Sequence, residues 1–167
     1  MLDTIFGLPF YFLIVHAAVV IIPTAALAVL LAALWPRFRR WAGWGPAALA
    51  VAALVLTPLS TSSGESLEHR VGRSPLVEAH AHLADLMIWW TIPLAFLAVV
   101  LHSLHRTDRL SSSGRALGIV MTVLPVVIAL GALVQVVLIG HSGAKAAWAG
   151  TGSSSSSSGS AGSGDGG

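Results

Sequence analysis

The chain is 167 residues long, 55% hydrophobic and only 10% charged, where soluble domains carry about 25% charged residues, and its mean hydropathy is +0.82. That composition excludes a water-soluble globule, and the absence of cysteine excludes disulfides, thiolate metal sites, cysteine nucleophiles and cysteine-ligated iron–sulfur clusters. The calculated pI of about 9.9 does not indicate nucleic acid, because the formal charge is only +2 and the basic residues read as loop-end topology anchors.

Four apolar segments reach the roughly 20 residues that a helix needs to cross a hydrocarbon core. The first is predicted over 8–35: no Asp, Glu, Lys or Arg stands between Asp3 and Arg37, and Pro36 closes the run. No basic residues precede it and no small-residue cleavage site interrupts it, so it reads as a retained helix and not a signal peptide. The second is predicted over 46–63, with Pro46 in its first turn and Pro58 near its far end. Ser74 before Pro75 opens the third, over 75–104, whose driest part is Leu86 to Leu101. The fourth covers 116–140 and stops at Gly140. Residues 64–74 are expected to form a short helical or turn-like cap, with Glu65 turned inward over the bundle. Residues 150–167 are almost wholly Ser and Gly and are expected to be a flexible, disordered tail. The predicted fold is all-α: one integral membrane four-helix bundle over 1–149, followed by that tail.

Loop charges predict the orientation. Arg37, Arg39 and Arg40 lie between helices 1 and 2, and Arg106, Arg109 and Arg115 between helices 3 and 4. The other side has Arg70, Arg73 and Lys145 among Glu65, Glu68 and Glu78. The positive-inside rule puts the Arg-rich loops in the cytoplasm and both termini outside. Eight of the nine basic residues are Arg and Ala is abundant, a coding bias that suggests a bacterial source and hence the plasma membrane. The expected partners are the lipid bilayer and other membrane proteins or a second copy, with no nucleic acid.

Polar residues gather at the outer end. Helix 1 contributes His16, helix 2 brings Thr57, Thr61, Ser62 and Ser63 followed by Glu65 and His69, helix 3 starts with Glu78, His80, His82 and Asp85, and helix 4 supplies Gln135 and His141. Ionisable groups at membrane depth are costly and are functional candidates by default. His16, the one ionisable group inside helix 1, and Asp85 carry most weight. His16 is expected to face the bundle interior near Thr57 or Thr61, Asp85 or His80, and Gln135. Glu78, His82, Asp85 and Trp89, spaced by four, three and four, share one helix face, while His80 points about 200° away from His82. Either His80 or His82 can face the interior, not both. His102 and His105, three apart beside Arg106, read as ordinary interfacial residues.

Gly7-Leu8-Pro9, His16, Pro23, the run Thr57-Pro58-Leu59-Ser60-Thr61-Ser62-Ser63-Gly64-Glu65, Glu68-His69, His80, Leu83 with Asp85, and Gly140-His141-Ser142-Gly143-Ala144 with Trp148 occur in an order and spacing that resemble the bacterial four-helix membrane family filed as domain of unknown function 2231, in its actinobacterial form. The likeness covers about residues 5 to 149. It implies an integral membrane protein in which a helix 1 histidine and a histidine opening helix 3 recur, here His16 and His80. This chain carries Tyr11 where similar proteins often have a second histidine, and His141 where they often have Asp.

Two classes of function are expected from these residues. In the first, the chain is an accessory or interaction protein of a membrane assembly and its polar residues join helices. In the alternative, it binds haem b through His16 and His80, or a divalent metal through His16, Glu65, His80 and His141. A proton or solute pathway through Asp85 and His16 has a thin basis without broken half-helices. No catalytic motif is recognisable: Ser142 follows His141, but no Ser-His-Asp or His-Glu-x-x-His spacing occurs.

Overall fold

A computed structural model describes residues 4–5, 8–71, 74–106 and 115–149, with side-chain surroundings over 13–64, 74–106 and 116–148. The Ser/Gly tail expected over 150–167 lies outside the described residues, as do Arg109 and the side chains of Glu65, Glu68 and His69.

Helices build the fold: α1 Phe10–Leu34, α2 Pro36–Ala42, α3 Gly45–Val71, α4 Pro75–Asp85, α5 Ile88–Arg106 and α6 Arg115–Ala149. A two-residue antiparallel pairing of Thr4–Ile5 with Leu8–Pro9 precedes α1. Four stretches are long and apolar enough to cross a membrane, at Leu13–Leu34, Gly45–Gly64, Pro75–Arg106 and Ala116–Trp148, which makes the chain a multi-pass membrane protein. α1 packs on α3 and α6, and α5 packs on the same two helices. Successive spans run in opposite directions, so α2 marks one end of the bundle, the elbow, while the last turns of α3, all of α4 and the last turns of α6 gather at the other end, the crown.

Small side chains let the helices approach closely. α1 presents Ile14, Ala18, Ile22, Ala25, Val29 and Ala32 at spacings of three and four, and α3 answers with Ala47, Ala50 and Ala53, all buried. α6 adds Pro125, Ala129 and Ala132, and α5 adds Leu94, Ala95 and Ala98. Between helices in lipid, van der Waals contact and not water exclusion holds such surfaces together, and alanine permits the shortest axis separations. The outer faces stay apolar: on α6, Ile119, Val123, Val127, Leu130, Val134 and Val137 are all exposed.

Three features depart from the sequence expectation. The connection between the first two spans is itself helical: Pro36 starts α2, and Gly43 stops it at φ 53°, a positive value that a side chain disfavours. The second and fourth spans run on past 63 and 140, to Val71 and Ala149. The 35 residues of α6 extend for about 52 Å at about 1.5 Å per residue, well beyond the roughly 30 Å of a hydrocarbon core, and the surplus turns form the crown. The third span, expected as one helix over 75–104, is broken at Leu86 and Met87. There Met87 N–H bonds Ala84 O at 3.0 Å and Trp90 N–H bonds Met87 O at 3.0 Å, tightening the chain into i→i−3 bonding. Two expectations agree with the structure: the chain over 64–71 is helical, and Ser74 caps α4, its Oγ accepting from Val77 N–H at 3.3 Å with Pro75 in the first turn.

Candidate functional site

The break in the third span is closed from α6. In an unbroken helix Leu83 O would accept from Met87 N–H; instead Met87 turns to Ala84, and the Gln135 side-chain amide donates to Leu83 O at 2.7 Å. Gln135 is 8% exposed and the bond is partly buried, and a carbonyl left unpaired there is costly. Thr91, fully buried, returns its hydroxyl to Met87 O and Ile88 O, both at 3.3 Å. One turn below Gln135, the Trp90 ring lies over Gly131 so closely that a Cβ there would overlap it. Glycine at 131 is thus a close-approach residue between α5 and α6.

Above the break lies the crown. Glu78, His82, Asp85 and Trp89 share the exposed side of α4 and the start of α5, while His80 turns the other way and is half-buried. Its Nδ1 is 3.0 Å from Ser142 Oγ, and that hydroxyl donates to Ile139 O at 2.9 Å. Ser142 Oγ therefore acts as acceptor, and His80 Nδ1–H as donor. The imidazole rests on Gly143, where an added Cβ would stand 3.1 Å from its Cε1. Of the two alternatives on α4, His80 is the residue that meets the bundle.

The other sequence candidates are dispersed. His16 is exposed, which corrects the expectation that it faces the interior: the buried α1 stripe through Ile14 and Ala18 leaves position 16 about 200° round the helix from Ile14. Thr57, expected beside it, is buried but bonds its own turn, to Ala53 O at 2.8 Å. Asp85, also expected inside, is exposed, and so is His141. Glu65 lies on α3, and the inward turn expected of its side chain falls outside the described residues. Among the described residues no three of His, Asp and Glu come together.

The elbow holds a cluster that sequence reasoning passed over. His102 Nδ1 is 3.0 Å from Gly43 O, and its ring lies on Trp44 with centroids 4.0 Å apart. Arg39 is half-buried and donates from Nη1 to Ala32 O at 3.3 Å. Burial, and then the neighbouring charge of Arg40, lower the Arg39 pKa from its ordinary value. A signal for His102 was present: Ala95, Ala98 and His102, spaced by three and four, lie on one helix face, and both alanines are core residues.

Comparison of the chain with family models, with curated proteins and with solved structures finds no match.

Proposed function

We propose that this chain is an accessory protein of a bacterial plasma-membrane assembly, working through helix packing and through its polar crown. The observation that carries this reading is the dispersal of the ligand candidates: His80 is engaged with Ser142 on α6, while His16 is exposed on α1 and His141, next to Ser142 in sequence, is exposed on α6. The interior polar groups serve helix joining, as Gln135 does at Leu83 and Thr91 at Met87. The outer face of α6, apolar from Ile119 to Val137, offers a surface for a partner helix or a second copy. The charge count, six basic residues at the elbow side against three at the crown side, supports a crown outside the cytoplasm with both termini beside it. Membership of the four-helix family resembled by the sequence is part of the same proposal and rests on the motif order alone.

A haem held by His16 and His80 has less support, because an axial pair must converge on one plane. His16 lies away from the packing stripe of α1, and His80 is turned onto α6. The test is photo-crosslinking in native membranes from position 134 on the outer face of α6, with position 132 in the core as control. A discrete protein adduct from 134, absent from 132, supports the accessory reading. Adducts to lipid alone at 134 contradict it.

A further inference from the structure

The elbow carries a donor and an acceptor that no group in the described structure satisfies. Gly43 O can only accept, so the His102 Nδ1 facing it at 3.0 Å carries the proton, and in the neutral ring Nε2 is then a bare acceptor. That Nε2 is buried without a hydrogen-bond partner, and so is Arg39 Nε, which can only donate. Both residues line one cavity of about 10 Å³, walled by Val29, Ala32, Pro46 and Ala98. Such a volume holds about one oxygen atom with its hydrogens. Trp44 against the imidazole and the Arg39 bond to Ala32 O hold both groups in place.

Beside the neutral ring, a phosphate or carboxylate oxygen, acceptor only, would answer Arg39 and leave His102 unanswered. A hydroxyl answers both. The surroundings suggest which hydroxyl: α2 joins two membrane spans, with Trp35, Trp41 and Trp44 exposed around it and Arg37 and Arg40 exposed on it. A short basic, Trp-bearing helix at that depth lies among headgroups and attracts anionic ones. We infer that the elbow is a binding site for an anionic phospholipid whose headgroup carries a hydroxyl, as phosphatidylglycerol does. The hydroxyl oxygen enters the cavity, accepting from Arg39 Nε–H and donating to His102 Nε2, and the phosphodiester meets the exposed arginines of α2.

Phosphatidylmethanol has the same charge as phosphatidylglycerol and lacks the hydroxyl, which makes it the decisive comparison. The full chain, purified in detergent and equilibrated with equal amounts of the two lipids and of phosphatidylcholine, is examined by native mass spectrometry. Phosphatidylglycerol should be retained roughly three- to tenfold over phosphatidylmethanol, the discrimination expected of one or two buried hydrogen bonds. His102→Leu should bring that ratio to one while both anionic lipids still exceed phosphatidylcholine. Equal retention of the two anionic lipids by the unmodified protein overturns the proposal whatever the variant does, since the arginines would then act as surface charge and the cavity would take water. An unchanged preference in a helical, monodisperse His102→Leu protein overturns it as well.

Discussion

Gln135 Nε2 donates to Leu83 O at 2.7 Å, and Leu83 O is the carbonyl released where Met87 N–H turns to Ala84. A side chain on the last span thus completes the backbone of the third, and the break at Leu86 and Met87 separates the spanning α5 from the crown helix α4. The 19 residues of α5 measure about 28 Å, close to a hydrocarbon thickness, and on the other side of the break α4 carries His80 to Ser142 in the crown.

Replacing Gln135 by Leu should leave insertion intact, since Leu suits a membrane helix, yet lower the stability of the bundle. The Leu83 carbonyl would lose its partner at a cost of about 1–2 kcal/mol, the upper range for interhelical bonds in membranes. Unfolding in mixed micelles measures the loss. Stability equal to that of the unmodified protein would show that the break needs no help from α6.

Gly131→Ala should destabilise more strongly, by about 1–3 kcal/mol, as overpacking does in a filled core. A methyl at 131 meets the Trp90 ring, so Trp90→Leu combined with Gly131→Ala should recover much of the loss, and the two substitutions should not add. Simple additivity in the same unfolding assay would contradict this packing.

The His80 and Ser142 pair should show coupling of about 0.5–1.5 kcal/mol in a double-mutant cycle of His80→Ala and Ser142→Ala. His82→Ala, on the exposed side of α4, should change stability by less than about 0.5 kcal/mol. A larger effect at 82 than at 80 would reverse the assigned faces.

The orientation can be read by labelling, because the chain has no native cysteine. Lys145→Cys at the crown should react with a membrane-impermeant maleimide in intact cells, and Arg40→Cys at the elbow only after permeabilisation. The opposite pattern would invert the topology.

The spans were legible because a charge-free run of the required length has few other uses, and Ser74 before Pro75 announced the start of α4. That Glu78, His82 and Asp85 share one face of α4, with His80 on the opposite one, followed from spacing; which of the two faces turns outward did not, and Asp85 was expected inside. The break at Leu86 was not legible, since the amide that meets its freed carbonyl is 52 positions away in the chain, and Gly140 looked like a helix end because nothing local shows that Ser142 and Gly143 meet His80 of α4. His16 was misplaced for a physical reason: weighing the cost of a polar group in lipid says nothing about which face of α1 packs, and that was set by Ile14, Ala18 and Ile22. At the elbow, the significance of His102 lies in Gly43 and Trp44, which only the turn after α2 brings to it.

The central claim is that this membrane protein acts through packing and contact, not through a bound cofactor. An absorption spectrum and metal analysis of the chain purified in mild detergent from its native host test it most directly. The account predicts no Soret band and less metal than protein. A Soret band, or one equivalent of metal, that is lost in His80→Leu would contradict it.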